Sequence, residues 1–312
     1  MALLKKRLSC IIMAAAVICA FLLLNRFSFE INGTGDKPTV VSTTTMLYDL
    51  TRQIGGDKIN ALGLMGSGVD PHQYRASAGD VIKMQQADMV VYNGLHLEGK
   101  MGDIFESLAV RGKKSVCVSG EIAEDRLIIN DGIPDPHIWF DVSLWKEAAK
   151  AVEKGLAELD TENACYYGER LERYIKELEE LDIYIRERAG EIPEKKRVLI
   201  TAHDAFGYFG RAYGFEVTGL QGINTATEAA ASDVSRLADI IAEREINAVF
   251  VESSMPVKNI KSLMEAVNAR GYDTDLGGSL YSDSIGDEAE GTDTYISAFR
   301  HNIDTIANEL KD

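Results

Sequence analysis

The apolar positions of this chain follow two rhythms. Short runs rich in β-branched residues read as strands: "TVVSTTT" (39–45), "DMVVYNG" (88–94) and "KSVCVSG" (114–120). "INALGLM" (59–65) is a further short strand. Between them, "MLYDLTRQIGG" (46–56), "SAGDVIKMQQA" (77–87) and "KMGDIFESLAV" (100–110) space their apolar residues as helices do. Alternation of this kind predicts parallel β/α units.

The rhythm changes at Ser143. "SLWKEAAKAVEKGLAEL" (143–159) predicts one helix and 161–190 a second, long one. Leu171, Tyr174, Leu178, Leu181 and Ile185 mark the apolar stripe of the long helix, which at about 1.5 Å per residue would span about 40 Å. A coiled-coil arm competes with this, but the heptad is not sustained. From Arg197 the alternation resumes through "RVLITAH", "FEVTGLQG", "NAVFVES" and "DTDLGGSLYSD", each followed by a helical stretch. The prediction is an α/β fold of two β/α lobes with parallel sheets, joined by one long rigid helix. The expected boundaries are 38–142 for the first lobe, 143–194 for the helical segment and 195–312 for the second lobe. Two such lobes leave a crevice at the carboxyl ends of their strands, where open α/β sheets take their ligands.

Residues 1–30 stand apart. Lys5, Lys6 and Arg7 precede an apolar run from Leu8 to Leu24, the pattern of an export signal or N-terminal membrane anchor that leaves the body outside the cytoplasm. The whole chain has 312 residues, 46% hydrophobic, with a formal charge of −16. Without the first 30 residues, which carry Lys5, Lys6, Arg7 and Arg26 against Glu30, 29 basic and 48 acidic side chains remain, a net −19. A body so acidic repels phosphate backbones, which excludes nucleic acid as a partner and is compatible with a cation. Cys117 and Cys165 are expected to be buried free thiols.

The chemistry lies in the histidines. His72 sits in "GVDPHQY" and His137 in "IPDPHIWF", so an Asp-Pro-His corner occurs twice, each stiffened by proline. His203 ends the strand "RVLITAH", and Asp283 ends the strand that reads "LYSDS". All four fall on strand ends facing the crevice, two from each lobe. Three imidazoles and one carboxylate suit Zn²⁺ or Mn²⁺, ahead of Fe²⁺. Each histidine taken singly also reads as an ordinary polar group at a strand end; three of five in equivalent positions argue for the joint site. His96 and His301 read as structural or surface residues. Glu252 is a second carboxylate at a strand end, either a partner of a ligand or a cap. Glu228 reads as a turn or capping residue. Asp141 either orients His137 or caps the next helix.

These motifs, with "TAHDAFGYFG", "GINTATEAA" and "VFVESS", resemble the metal-binding solute-binding proteins of manganese/zinc ABC importers, often lipoproteins. The resemblance runs from about Val40 to the C-terminus. It implies a metal between two lobes, with ligands at His72, His137, His203 and Asp283. It further implies no enzymatic activity, a monomer outside the cytoplasm or in a periplasm, a membrane permease with its separate ATPase as partners, and contact with the membrane through the N-terminal segment. The chain lacks the His-rich acidic loop that zinc-dedicated members often carry, and it has His203 where many manganese-dedicated members carry glutamate. Ile18 precedes Cys19 where a lipobox has a small residue, so an uncleaved anchor stands beside acylation. A helix joining the lobes in place of flexible strands predicts small closure on binding. The competing readings are an extracytoplasmic zinc hydrolase, with Glu252 as general base, and a surface adhesin.

Overall fold

The computed structural model describes residues 37–311; the apolar N-terminal run lies outside the described residues. Strands β1 (Thr39–Ser42), β2 (Asn60–Gly63), β3 (Met89–Tyr92) and β4 (Lys114–Cys117) form one parallel sheet in the order β2-β1-β3-β4. Helices α1 (Thr45–Gly55), α2 (Ala78–Gln86) and α3 (Gly102–Val110) connect them. β1 is buried along its whole length, as a strand covered on both faces must be. Thr44 caps α1 by accepting the Leu47 amide, and a Ser77/Asp80 capping box starts α2.

A short hairpin follows, β5 (Ile129–Asn130) with β6 (Ile133–Pro134), in a stretch to which the sequence reading assigns no element. Asp131 and Gly132 both take positive φ, 51° and 80°, the turn that an Asp-Gly pair favours. Helix α4 (Val142–Leu159) then leads to α5 (Ala164–Gly190), 27 residues long. Tyr167, Tyr174, Leu178, Leu181, Ile185 and Ala189 form its buried face. Its first half is tied to the first lobe through Arg170 Nε, which donates to the Gln53 carbonyl at 2.6 Å. Its last turns are tied to the second lobe through Tyr184 and Arg188, both on Asp304.

The second lobe pairs β7 (Val198–His203) with β8 (Glu216–Gln221), and β9 (Ala248–Glu252) with β10 (Asp275–Leu280), all parallel. β7 runs beside β9. Helices α6 (Gly207–Tyr213), α7 (Ala231–Glu243), α8 (Val257–Asn268) and α9 (Tyr295–Leu310) surround these strands. One apolar core runs through both lobes, from Val40 and Leu47 across Trp145, Leu178 and Tyr295 to Leu199 and Phe250. Two smaller cores lie under α2 and α3 and under α7 and α8. Cys117 and Cys165 are free thiols, but neither is buried: Cys117 is half-buried and Cys165 exposed, because the apolar stripe of α5 passes through Tyr167, not Cys165. No helix among the described residues is long and apolar enough to cross a membrane.

Candidate metal centre

Four side chains meet between the lobes. His72 stands in the corner after β2, and His137 in the corner that leads through a single turn into α4. His203 is the last residue of β7, and Asp283 lies just past β10. One ligand atom from each lies within 4.8 Å of every other. The four residues are between 0% and 4% exposed. His72 Nε2 is 3.3 Å from His137 Nε2 and 3.6 Å from Asp283 Oδ2. His137 Nε2 is 3.4 Å from Asp283 Oδ1, and His203 Nε2 is 3.2 Å from Asp283 Oδ2.

Those spacings have a chemical meaning. An ion bonded at about 2.0–2.1 Å to four tetrahedral ligands separates them by about 3.3 Å. His203 Nε2 and both Asp283 oxygens have no hydrogen-bond partner although buried, an expensive state that a central cation would relieve. The donor set, three imidazole nitrogens and a carboxylate, suits a divalent transition metal.

The surroundings aim the rings. Asp135 Oδ1 accepts the His137 amide at 2.9 Å and lies 2.7 Å from its ring Nδ1. Asn93 Nδ2 donates to the Pro136 carbonyl, and Tyr208 OH to the Asp135 carbonyl, so the whole corner is pinned. Glu252 Oε1 accepts the His203 amide at 2.8 Å. Its Oε2 lies 2.6 Å from His203 Nδ1, out of line for a hydrogen bond. His72 differs: its Nδ1 is buried without a partner. Trp139 Nε1 donates to the Ser282 carbonyl and steadies the segment that carries Asp283. Gly219 lets β8 pass close to the backbone of His203 and Asp204, where a Cβ would collide.

These partners set the charges. Burial lowers His72 to about 4. Burial opposes charge on His137 too, but Asp135 and then Asp283 outweigh it and raise that ring to about 9. For His203 the same contest, with Glu252 and Asp283, ends well above the ordinary value. Burial pushes the Asp283 carboxyl up, yet His203 and His137 hold it well below the usual range.

The other candidates sort themselves by position. His96 is exposed, and His301 touches the Ser279 carbonyl and the Tyr281 ring. Glu228 lies exposed in a loop. Asp141 caps α4 by accepting the Ser143 amide, so the carboxylate on His137 is Asp135. Sequence reasoning missed Asp135, although it stands two residues before the histidine in the repeated corner. Asn93 and Thr225, which brace the two corners from elsewhere in the chain, left no signal in the sequence.

The chain is similar to known metal-binding proteins. Residues 40–309 match the model of the family described as zinc-uptake complex component A, periplasmic. The zinc-binding protein TroA of Treponema pallidum is 44% identical over 308 residues, 98% of this chain and 99% of that one. The manganese-binding lipoprotein MntA of Bacillus subtilis is 40% identical over 303 residues, 96% of this chain and 99% of that one. The solved structure of periplasmic TroA covers 88% of this chain and 100% of its own, with a TM-score of 0.86 at 47% identity. Matched by that family's model over most of its length and similar in fold to periplasmic TroA, the chain belongs to the zinc-uptake complex component A family of metal-binding solute-binding proteins.

Proposed function

We propose that His72, His137, His203 and Asp283 together grip one zinc or manganese ion in the cleft. The chain is a binding protein, not an enzyme: it captures the ion outside the cytoplasm and delivers it to an ABC-type permease. The observation that carries the ligand assignment is the convergence of four buried ligand atoms within 4.8 Å of one another, two of them, His203 Nε2 and the Asp283 oxygen, without a hydrogen-bond partner. The position of Glu252 supports binding over hydrolysis, since one oxygen takes the His203 amide and the other lies against Nδ1 of that ring, not against the Nε2 that would meet the ion. The apolar run at 8–24 would retain the chain at the outer face of the membrane, and fractionation of cells expressing it with and without that run tests this.

The core that runs through both lobes opposes a wide hinge. Scattering profiles of the metal-free and loaded protein should nearly coincide; a large domain rotation contradicts this. The ligand assignment is tested by native mass spectrometry of the purified chain beside Asp283→Ala. We expect one zinc or manganese per wild-type chain and an affinity at least about a thousandfold weaker in the variant. An unchanged metal content in the variant contradicts it.

A further inference from the structure

One side of the cleft is crossed by a loop of the second lobe. Residues 222–230 leave β8 and lead to α7, and every one of them is at least partly exposed except Thr225, which is 4% exposed. The Thr225 hydroxyl donates to Asp70 Oδ2 at 2.6 Å, and its carbonyl accepts from Gln73 Nε2 at 2.7 Å. Both partners belong to the first-lobe corner that carries His72. Asp70 Oδ1 meanwhile accepts the amides of His72 and Gln73, at 2.8 and 3.3 Å. Lys100 Nζ donates to Gln73 Oε1 at 2.9 Å and steadies that side chain. One carboxylate therefore shapes the histidine corner and holds the opposite lobe.

Among the described residues, no other side-chain hydrogen bond joins this loop to the first lobe. On one side the loop lines an open pocket of about 510 Å³ together with Asp204 and residues of β8, so it is not packed against the second lobe along its whole length.

We propose that Thr225 is a positioning residue that latches this loop across the cleft and slows the departure of the bound ion. The inference rests on the metal-capture reading. A hydroxyl donated to a carboxylate is among the stronger hydrogen bonds, and its loss leaves a partly buried oxygen short of a donor. The same carboxylate shapes the corner of His72, so freeing the loop also loosens one wall of the centre.

Thr225→Val keeps the side-chain shape and removes the donor; Thr225→Ser keeps the donor. Wild type and both variants are loaded with Zn²⁺ or Mn²⁺, and release into excess chelator is followed by stopped flow. Thr225→Val should release the ion roughly tenfold faster, with Thr225→Ser within about twofold of wild type. Release from Thr225→Val at the wild-type rate overturns the latch. Hydrogen exchange across 222–230 in the metal-free protein supplies a readout that needs no ion: it should be faster in Thr225→Val than in wild type or Thr225→Ser. Equal exchange in all three also overturns the latch. A wild-type chain that holds no ion refutes the capture reading instead, and the exchange result then judges the latch alone.

Discussion

The same tripeptide, Asp-Pro-His, is used twice and in two ways. At 70–72 and at 135–137 the aspartate accepts the histidine amide, at 2.8 and 2.9 Å, so both corners share one local turn. Beyond that they part. Asp135 also meets the ring of its own histidine, and Asn93 and Tyr208 hold the backbone around it. Asp70 spends its second oxygen on Thr225 across the cleft, and the Nδ1 of His72 is left alone. One corner is a fixed frame for an imidazole; the other ties an imidazole to the position of the opposite lobe. Local sequence dictates the turn, while tertiary surroundings decide what the carboxylate does with its remaining lone pairs.

The largest expected difference between the corners follows from this. Asp135→Asn, which weakens the orientation and basicity of His137, should lower metal affinity about 10- to 100-fold in a competition titration. Asp70→Asn should cost less than about tenfold, chiefly through faster release. The reverse order breaks the comparison.

A second test concerns protons. His137 in the metal-free fold is raised to about 9, against an ordinary 6.5. Because its folded value is raised, the stability its charged form contributes is fully present below pH 6.5 and is lost as pH rises through 9. A metal ion needs the ring unprotonated, so binding expels that proton below pH 9. Affinity should therefore rise with pH from 6.5 to 9, by roughly tenfold per unit for each proton expelled. The melting-temperature gap between loaded and metal-free protein should widen over the same window. His72, at about 4, titrates below it, so Asp70→Asn should leave the slope alone while Asp135→Asn flattens its upper part. A flat affinity profile contradicts the assignment.

The smallest effect is a control from a carboxylate that faces no imidazole. Asp49 accepts the Tyr295 amide at 2.9 Å and joins α1 to the start of α9. Burial raises it to about 6 from an ordinary 3.8, so its charge costs stability once the pH passes 6, and the protein gains as pH falls from 6 towards 3.8. Asp49→Asn retains an acceptor and sheds the charge. At pH 7.5 it should raise the melting temperature by about 2–4 °C and leave metal affinity within about twofold. A loss of affinity would tie Asp49 to the centre.

The strands, the helices and the strand-end residues that converge in the cleft were legible because each leaves a local mark. β-branched runs, three-and-four spacing and a histidine closing "RVLITAH" all lie within a few residues. The buried face of α5 follows the predicted stripe through Tyr174, Leu178, Leu181 and Ile185, with Leu171 only partly buried at its edge. What escaped depends on distance in sequence. Thr225 is 155 residues from Asp70, and Asn93 is 43 from Pro136. No periodicity records such pairs: the first exists only once the two lobes have met, the second only once the first lobe has folded. Of the two readings of Asp141 the cap holds, because a residue that immediately precedes a helix is already committed to its exposed amides. The short hairpin at 129–134 was announced by Asp131-Gly132 and went unread for want of long flanking strands.

The central claim is that side chains from both lobes share one ion. X-ray absorption at the metal edge of the loaded wild-type chain tests it most directly. It should show one type of site with three imidazole nitrogens and a carboxylate oxygen at about 2.0–2.2 Å, the imidazole signal dropping by one ring in His72→Ala. A shell of water and carboxylates, or an imidazole count that His72→Ala does not change, would contradict the account.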